Sequence, residues 1–250
     1  MRNQSLVCSL VVIAVIGAGA CAHDPLSKHD EIQVSLRYQG TTYELTQSLW
    51  ITPFFHDGGR RLLLRSPPDE QVLLESPGGE PILPGAVEGV LPAGTKISVL
   101  RVSFPEEGWN RVTRPIIAPR DRPWLEFGLA GKSRCDNMPP CYVFVLPPDL
   151  KSQDAVFARV SEVLTDKPID QEVAALPAAD QHAVFTRQLG PGISPRGLEL
   201  AFGPPLIRNI HGSETERLED WTWQSEKKAR VAHLKNGVVV STEEQVLAAQ

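Results

Sequence analysis

Gly192-Ile193-Ser194-Pro195-Arg196-Gly197-Leu198-Glu199-Leu200-Ala201-Phe202-Gly203-Pro204-Pro205 specifies a short helix together with both of its ends. Ser194 is an N-cap residue, whose hydroxyl can accept from backbone N–H groups left free in the first turn. Pro195 suits the first helical position, where no amide donor is needed. Leu198, Ala201 and Phe202 form the apolar stripe. Gly203 can take the left-handed conformation that closes a helix, and Pro204-Pro205 prevents continuation. Downstream come Leu206 to Ile210, a polar turn at His211-Gly212-Ser213, and Glu219 to Gln224 with Trp221 and Trp223 on one face. Ala229 to Lys235 leads into Asn236-Gly237, a two-residue hairpin signal, and Val238-Val239-Val240 returns. The pattern predicts a helix followed by a three- or four-strand antiparallel meander, with one face free to pack on helices.

Upstream, helical spacing recurs over Ala178 to Gln188 and over Asp154 to Leu164, where Val156, Phe157, Val160, Val163 and Leu164 share a stripe. Pro147-Pro148 closes the region before it, and residues 31–147 read as β-rich. Ile32 to Leu36 alternates apolar and polar, Tyr43-Glu44-Leu45 follows the turn at Gly40, and Arg61 to Arg65 and Gln71 to Leu74 are short strands. Lys96 to Phe104 places Leu100, Val102 and Phe104 on one face; Arg111 to Ala118, Trp124 to Leu129 and Tyr142 to Leu146 follow. The expected fold class is α+β: a small barrel or sandwich, SH3-like in strand number and length, over 31–147, then a helix-and-meander module over 150–245. The 22 prolines favour such short strands over long helices.

The first twenty residues stand apart. Arg2 precedes an apolar run, Leu6 to Ile16, too short to span a bilayer, and Ala18-Gly19-Ala20 supplies the small residues of a cleavage site. Ala18-Gly19-Ala20-Cys21 resembles the lipobox of bacterial lipoproteins, which implies a signal peptide over 1–20, a lipid on Cys21, and a polar tether over 21–30. Ala22, which is not acidic, leaves outer membrane, periplasmic face, as the expected location. Cys8 falls in the signal, so Cys135 and Cys141 remain as an even pair in an oxidising compartment. They bracket Asp136-Asn137-Met138-Pro139-Pro140, and a disulfide closing that loop would stabilise by roughly 2 kcal/mol. Metal binding is the alternative for this pair, but no His or second Cys pair lies nearby with ligand spacing.

Composition narrows the partners. The formal charge is −5, and cleavage after residue 20 would remove only a cation, Arg2. A nucleic-acid partner needs a dense basic surface and is excluded. The six histidines form no HxH or HExxH arrangement, and His56-Asp57 is a lone pair in a loop context. Ser66 and Ser103 lack a nucleophile elbow, Gly58-Gly59 and Pro77-Gly78-Gly79 are turn glycines, and Glu106-Glu107 reads as turn surface. No catalytic residue, metal site or cofactor is expected. The interaction candidate is Pro119-Arg120-Asp121-Arg122-Pro123-Trp124, in which Arg120, Arg122 and Trp124 are residue types enriched at binding hot spots. Arginine can grip a carboxylate of peptidoglycan or of an envelope protein bidentately. The alternative is a turn with internal Arg–Asp pairing and Trp124 in the core.

Gly192-Ile193-Ser194, Leu198, Phe202-Gly203-Pro204-Pro205, Trp221-Thr222-Trp223 and Asn236-Gly237-Val238-Val239 together resemble SmpA/OmlA-type outer-membrane lipoproteins over residues 178–242. That family includes the small lipoprotein subunit of the β-barrel assembly machinery. The resemblance implies a helix–helix–three-strand unit on the periplasmic side of the outer membrane. Gly197 stands where the family has an acidic residue completing the helix start, and Ile193 replaces a Met. The function expected from all of this is a non-catalytic scaffold or assembly factor at the cell envelope, acting through protein–protein contacts. A peptidoglycan-binding module and an envelope enzyme or inhibitor are the alternatives.

Overall fold

The computed structural model describes residues 26–55, 57–70, 73–75, 80–105, 122–131, 141–213, 216–225 and 227–247. Strand outweighs helix, 40% against 24%, and the fold class is α+β. The strand expected at Ile32 to Leu36 is instead part of a helix, α1 (Lys28–Tyr38). Ser27 caps it by accepting from the Asp30 N–H at 3.1 Å, and Asp30 and Glu31 occupy the first turn, where the helix dipole favours acids. Its buried residues, Val34 and Tyr38, are four apart, while Ile32 and Leu36 are exposed. The alternation in the letters is therefore not the spacing that is buried.

Eight strands form one sheet: β1 (Thr42–Leu45), β2 (Leu49–Phe54), β3 (Asp57–Leu64), β6 (Gly89–Leu91), β7 (Lys96–Ser103), β8 (Trp124–Leu129), β9 (Cys141–Val145) and β10 (Leu164–Thr165). Their order is β10-β1-β7-β8-β9-β3-β2-β6, and the sheet curls into half a barrel. β4 (Leu74–Glu75) and β5 (Pro81–Ile82) pair separately. Every neighbouring pair in the large sheet is antiparallel except β3 with β9. Both faces of the sheet carry apolar clusters, which explains the unbroken Leu62-Leu63-Leu64: Leu63 joins one core, Leu62 and Leu64 the other. In β7 the register shifts between Val99 and Arg101, so Ile97, Val99 and Val102 all turn to the same core. The expected strand at Arg111 to Ala118 lies outside the described residues.

Helix α2 (Gln153–Ser161), capped by Ser152, contributes Val156 and Val160 to the first core. That core also takes in Val163 and Leu164, so it runs past the boundary expected at 147. The second unit begins with α3 (Asp170–Ala174), α4 (Ala178–Thr186) and α5 (Pro195–Phe202). Four strands follow in consecutive antiparallel order: β11 (Ile207–Gly212), β12 (Arg217–Gln224), β13 (Lys228–Lys235) and β14 (Val238–Val246). Asn236 and Gly237, at φ 51° and 79°, make the tight hairpin that their residue types predict. Leu198, Ala201, Trp221, Ala232, Leu234 and Val239 form the second core, each such Leu or Val stabilising by roughly 1.5–3 kcal/mol.

The two units meet at Ser48, which is fully buried. Its N–H donates to Leu200 O at 2.8 Å and its hydroxyl to Val184 O at 2.6 Å, serving carbonyls near the C-terminal ends of α5 and α4 that lack helical partners. Its Oγ accepts from the Ala93 N–H at 3.0 Å. Nearby, buried Glu44 accepts from the N–H groups of Ile169 and Asp170 at 2.7 and 3.0 Å, capping α3 from β1. Among the described residues no helix is long and apolar enough to cross a membrane.

Candidate functional site

Helix α4 ends at Arg187, whose φ of 54° is the left-handed conformation usually given to glycine, and whose N–H donates to Ala183 O at 2.8 Å. The turn sends the arginine side chain into the junction, where only 6% of the residue is exposed. One terminal nitrogen donates to Ser48 O and the other to Arg65 O, the latter at 2.7 Å. The rings of Trp50 and Phe202 lie 5.5 and 5.7 Å from the guanidinium carbon. Among the described residues no carboxylate pairs with it, and its Nε–H has no acceptor. Burial, then repulsion from Arg65 and Arg230, pushes this guanidinium down to about 9, so it is still charged at neutral pH.

Arg187 lines a cleft of about 510 Å³ between the units. Among the described residues Arg65, Arg159 and Arg230 line it as well, against a single acid, Glu162. Arg65 Nη1 donates to Glu162 Oε2 at 2.6 Å and Arg159 Nη1 to Glu162 Oε1 at 2.8 Å, so one carboxylate bridges two guanidiniums. Arg230 is held by buried Glu70, with one contact at 3.0 Å, and by Glu244 at 3.2 Å. Leu189, Leu206, Phe202 and Trp223 add apolar surface to the lining, the last two with ring centroids 5.7 Å apart. Trp223 is fixed by its Nε1–H, which donates to Gly203 O at 2.9 Å. A smaller chamber of about 170 Å³ shares Arg65, Arg159 and Glu162 and adds Arg122, Leu63, Leu73 and Phe144. Ser66 and Ser225 are the hydroxyls at the main cleft, and no histidine among the described residues lines it. Fixed cations beside aromatic faces bind oxyanions and the apolar groups attached to them.

Of the residues singled out from sequence, Arg122 is half-buried at the smaller chamber, and Arg120 lies outside the described residues. Trp124 is 2% exposed and packs edge-on to Phe54 at 5.1 Å, so it is a core residue and not a contact surface. Cys141 is buried and disulfide-bonded, while Cys135, its expected partner, and Cys21 lie outside the described residues. So do His56 and the pair at 106–107. Among the described residues no group of three or more His, Cys, Asp or Glu is arranged to hold a metal. The nearest approach is on the meander, where His233 Nδ1 and His211 Nε2 donate to the two oxygens of Asp220 at 2.7 and 2.9 Å. The His233 hydrogen bond leads in holding the Asp220 carboxyl below its ordinary range. The arginine cleft itself has no local sequence signal, because its residues come from β3's end, α2, α4's cap and β13.

Comparison with models of protein families, with curated proteins and with solved structures finds no match in any of the three.

Proposed function

We propose that the chain is a non-catalytic scaffold or assembly factor of the bacterial cell envelope, working through protein–protein contacts. In this reading a lipid on Cys21 holds it at the periplasmic face of the outer membrane. The observation that carries the contact reading is β11, in which all six residues are exposed. Among the described residues it pairs on one side only, with β12. Leu206, Ile207 and Ile210 are 67%, 46% and 58% exposed along it. An unpaired edge offers N–H and C=O groups in register for one more strand, and apolar side chains at the edge reward its arrival. The occupant this fits is an extended segment of a partner protein.

The anchor is supported by Ala18-Gly19-Ala20-Cys21, and an SmpA/OmlA-like role by the order α4, α5, meander, with four strands where the resemblance implies three. The SH3-like reading of the β-rich unit rests on its short strands and curl alone. A photo-crosslinking residue at Ile210 in intact cells tests the contact, with one at Leu36, 72% exposed on α1, as control. The expected result is an adduct with one envelope protein from position 210 and none from 36. No adduct, or an adduct only with a second copy of the chain, would overturn it. Cys21→Ser should move the protein from the membrane to the soluble fraction, and unchanged retention would sink the anchor.

A further inference from the structure

We infer that the arginine-lined cleft is a binding site for an organic carboxylate bearing an apolar group, its head taken between Arg65 and Arg159. This rests on the cleft and not on the β11 edge, so either reading can fail alone. In a chain of formal charge −5, four arginines converge on one cavity with a single glutamate among the described residues of its lining. Arg187 is 6% exposed and holds its charge there with carbonyl and ring partners only. Burying a cation costs several kcal/mol, and the two carbonyls and two rings around Arg187 bring no opposite charge to offset it. An anion entering the same cleft would supply that charge.

Glu162 indicates what that anion is. Its carboxylate, on a side chain 31% exposed, already bridges Arg65 and Arg159 at 2.6 and 2.8 Å, with one oxygen to each. Two guanidiniums that can share this carboxylate have further N–H donors for a second. Phe202, Trp223 and Leu189, in the lining of the same cleft, offer a phosphate nothing but suit an apolar group attached to a carboxylate. A cavity of about 510 Å³ has the size of small-ligand sites. A peptide C-terminus with an apolar last residue and a short fatty acid share this chemistry.

The test is calorimetric titration of the detergent-solubilised full chain with acetyl-alanyl-phenylalanine, its C-terminal amide, hexanoate and inorganic phosphate. The expected result is binding of at least one carboxylate probe, with the amide and phosphate much weaker. Stronger binding of the peptide acid assigns a chain terminus, and stronger binding of hexanoate a fatty acid. The double variant Arg65→Gln/Arg159→Gln should lose about tenfold or more in affinity. Glu162→Gln keeps both arginines, removes the internal competitor, and should raise affinity several-fold, so it tests the site even if the double variant fails to fold. Failure of both carboxylates to bind, equal binding of acid and amide, phosphate as tight as either acid, or unchanged affinity in Glu162→Gln would each overturn the inference.

Discussion

Asp180, 1% exposed on α4, accepts from the Ser194 N–H and hydroxyl, both at 2.6 Å, while Ser194 Oγ accepts from the Gly197 N–H at 3.1 Å. In a capping box the acid that reaches back to the N-cap N–H stands three residues along the same helix. Here that position is Gly197, and the acid comes from the preceding helix. A Cβ at 197 would stand 2.3 Å from Asp180 Oδ1, so the glycine makes the room that the carboxylate fills. Gly197→Ala gains about 1 kcal/mol of helix propensity. The clash should outweigh that gain and leave a net loss of roughly 1–3 kcal/mol. Asp180→Ala should lose about 1–3 kcal/mol by stranding the Ser194 N–H. The pair Asp180→Ala/Gly197→Glu restores the box within one helix and should be more stable than Asp180→Ala. Urea midpoints measure all three, and a double variant no better than Asp180→Ala would reject the exchange.

Among elements, those whose signals are local were legible. Helix α5 has its N-cap, its first-turn proline and its terminal glycine in one stretch, and Asn236-Gly237 fixes the β13–β14 hairpin by its own backbone preference. Helix α1 was not legible, because Ile32, Val34 and Leu36 alternate and only the sheet decides that Val34 and Tyr38 are buried. The main cleft was not legible, since its Arg65, Arg159, Arg187 and Arg230 come together only in the fold; Arg122, singled out from sequence, lies at the smaller chamber. Trp124 has the residue type of a hot spot, and its sequence alone does not show the Phe54 ring that covers it. Arg187 ties α4's end to the barrel half through two carbonyls, Ser48 O and Arg65 O. Arg187→Leu should therefore cost roughly 2–4 kcal/mol despite removing a buried charge, since both acceptors lose their donors. Chemical unfolding monitored by tryptophan fluorescence checks this; a variant as stable as the wild type would mean the carbonyls find water instead.

Across the whole molecule, the carboxylates of Asp170, Glu172, Asp220 and Glu244 are held below their ordinary range by hydrogen bonds, led by those from Lys96, Arg196, His233 and Lys228 respectively. A depressed folded value means the unfolded chain takes up protons first as pH falls. The stability from these groups is present above the ordinary carboxylate range near 4 and is lost as pH drops through the lower folded values. Lys96, Arg196 and Lys228 are raised by the same pairs, so their share is lost only when alkaline pH passes the folded values. The melting temperature should thus stay level through neutral pH and fall below about pH 4.5. Because the pairs are largely exposed, about 1 M salt should shrink the fall. Scanning calorimetry from pH 3 to 8 at two salt concentrations measures it, and a decline already evident between pH 7 and 6 would contradict the assignment.

The parallel pairing of β3 with β9 divides the large sheet into two ribbons, β10-β1-β7-β8-β9 and β3-β2-β6, sewn along one seam from Arg60 with Cys141 to Leu63 with Phe144. Two residues separate β2 from β3 and twenty separate β7 from β8, against seventy-six between β3 and β9, so both of those pairs can form before the seam. The seam must wait for strands far apart in sequence, and Leu62 and Leu63 stay bare along that edge until it closes. Folding should therefore close the middle of the sheet after the β2–β3 and β7–β8 pairs have formed. In pulse-labelled amide exchange during refolding, the seam amides would gain protection after those of β7 and β8, and simultaneous protection would rule out this order.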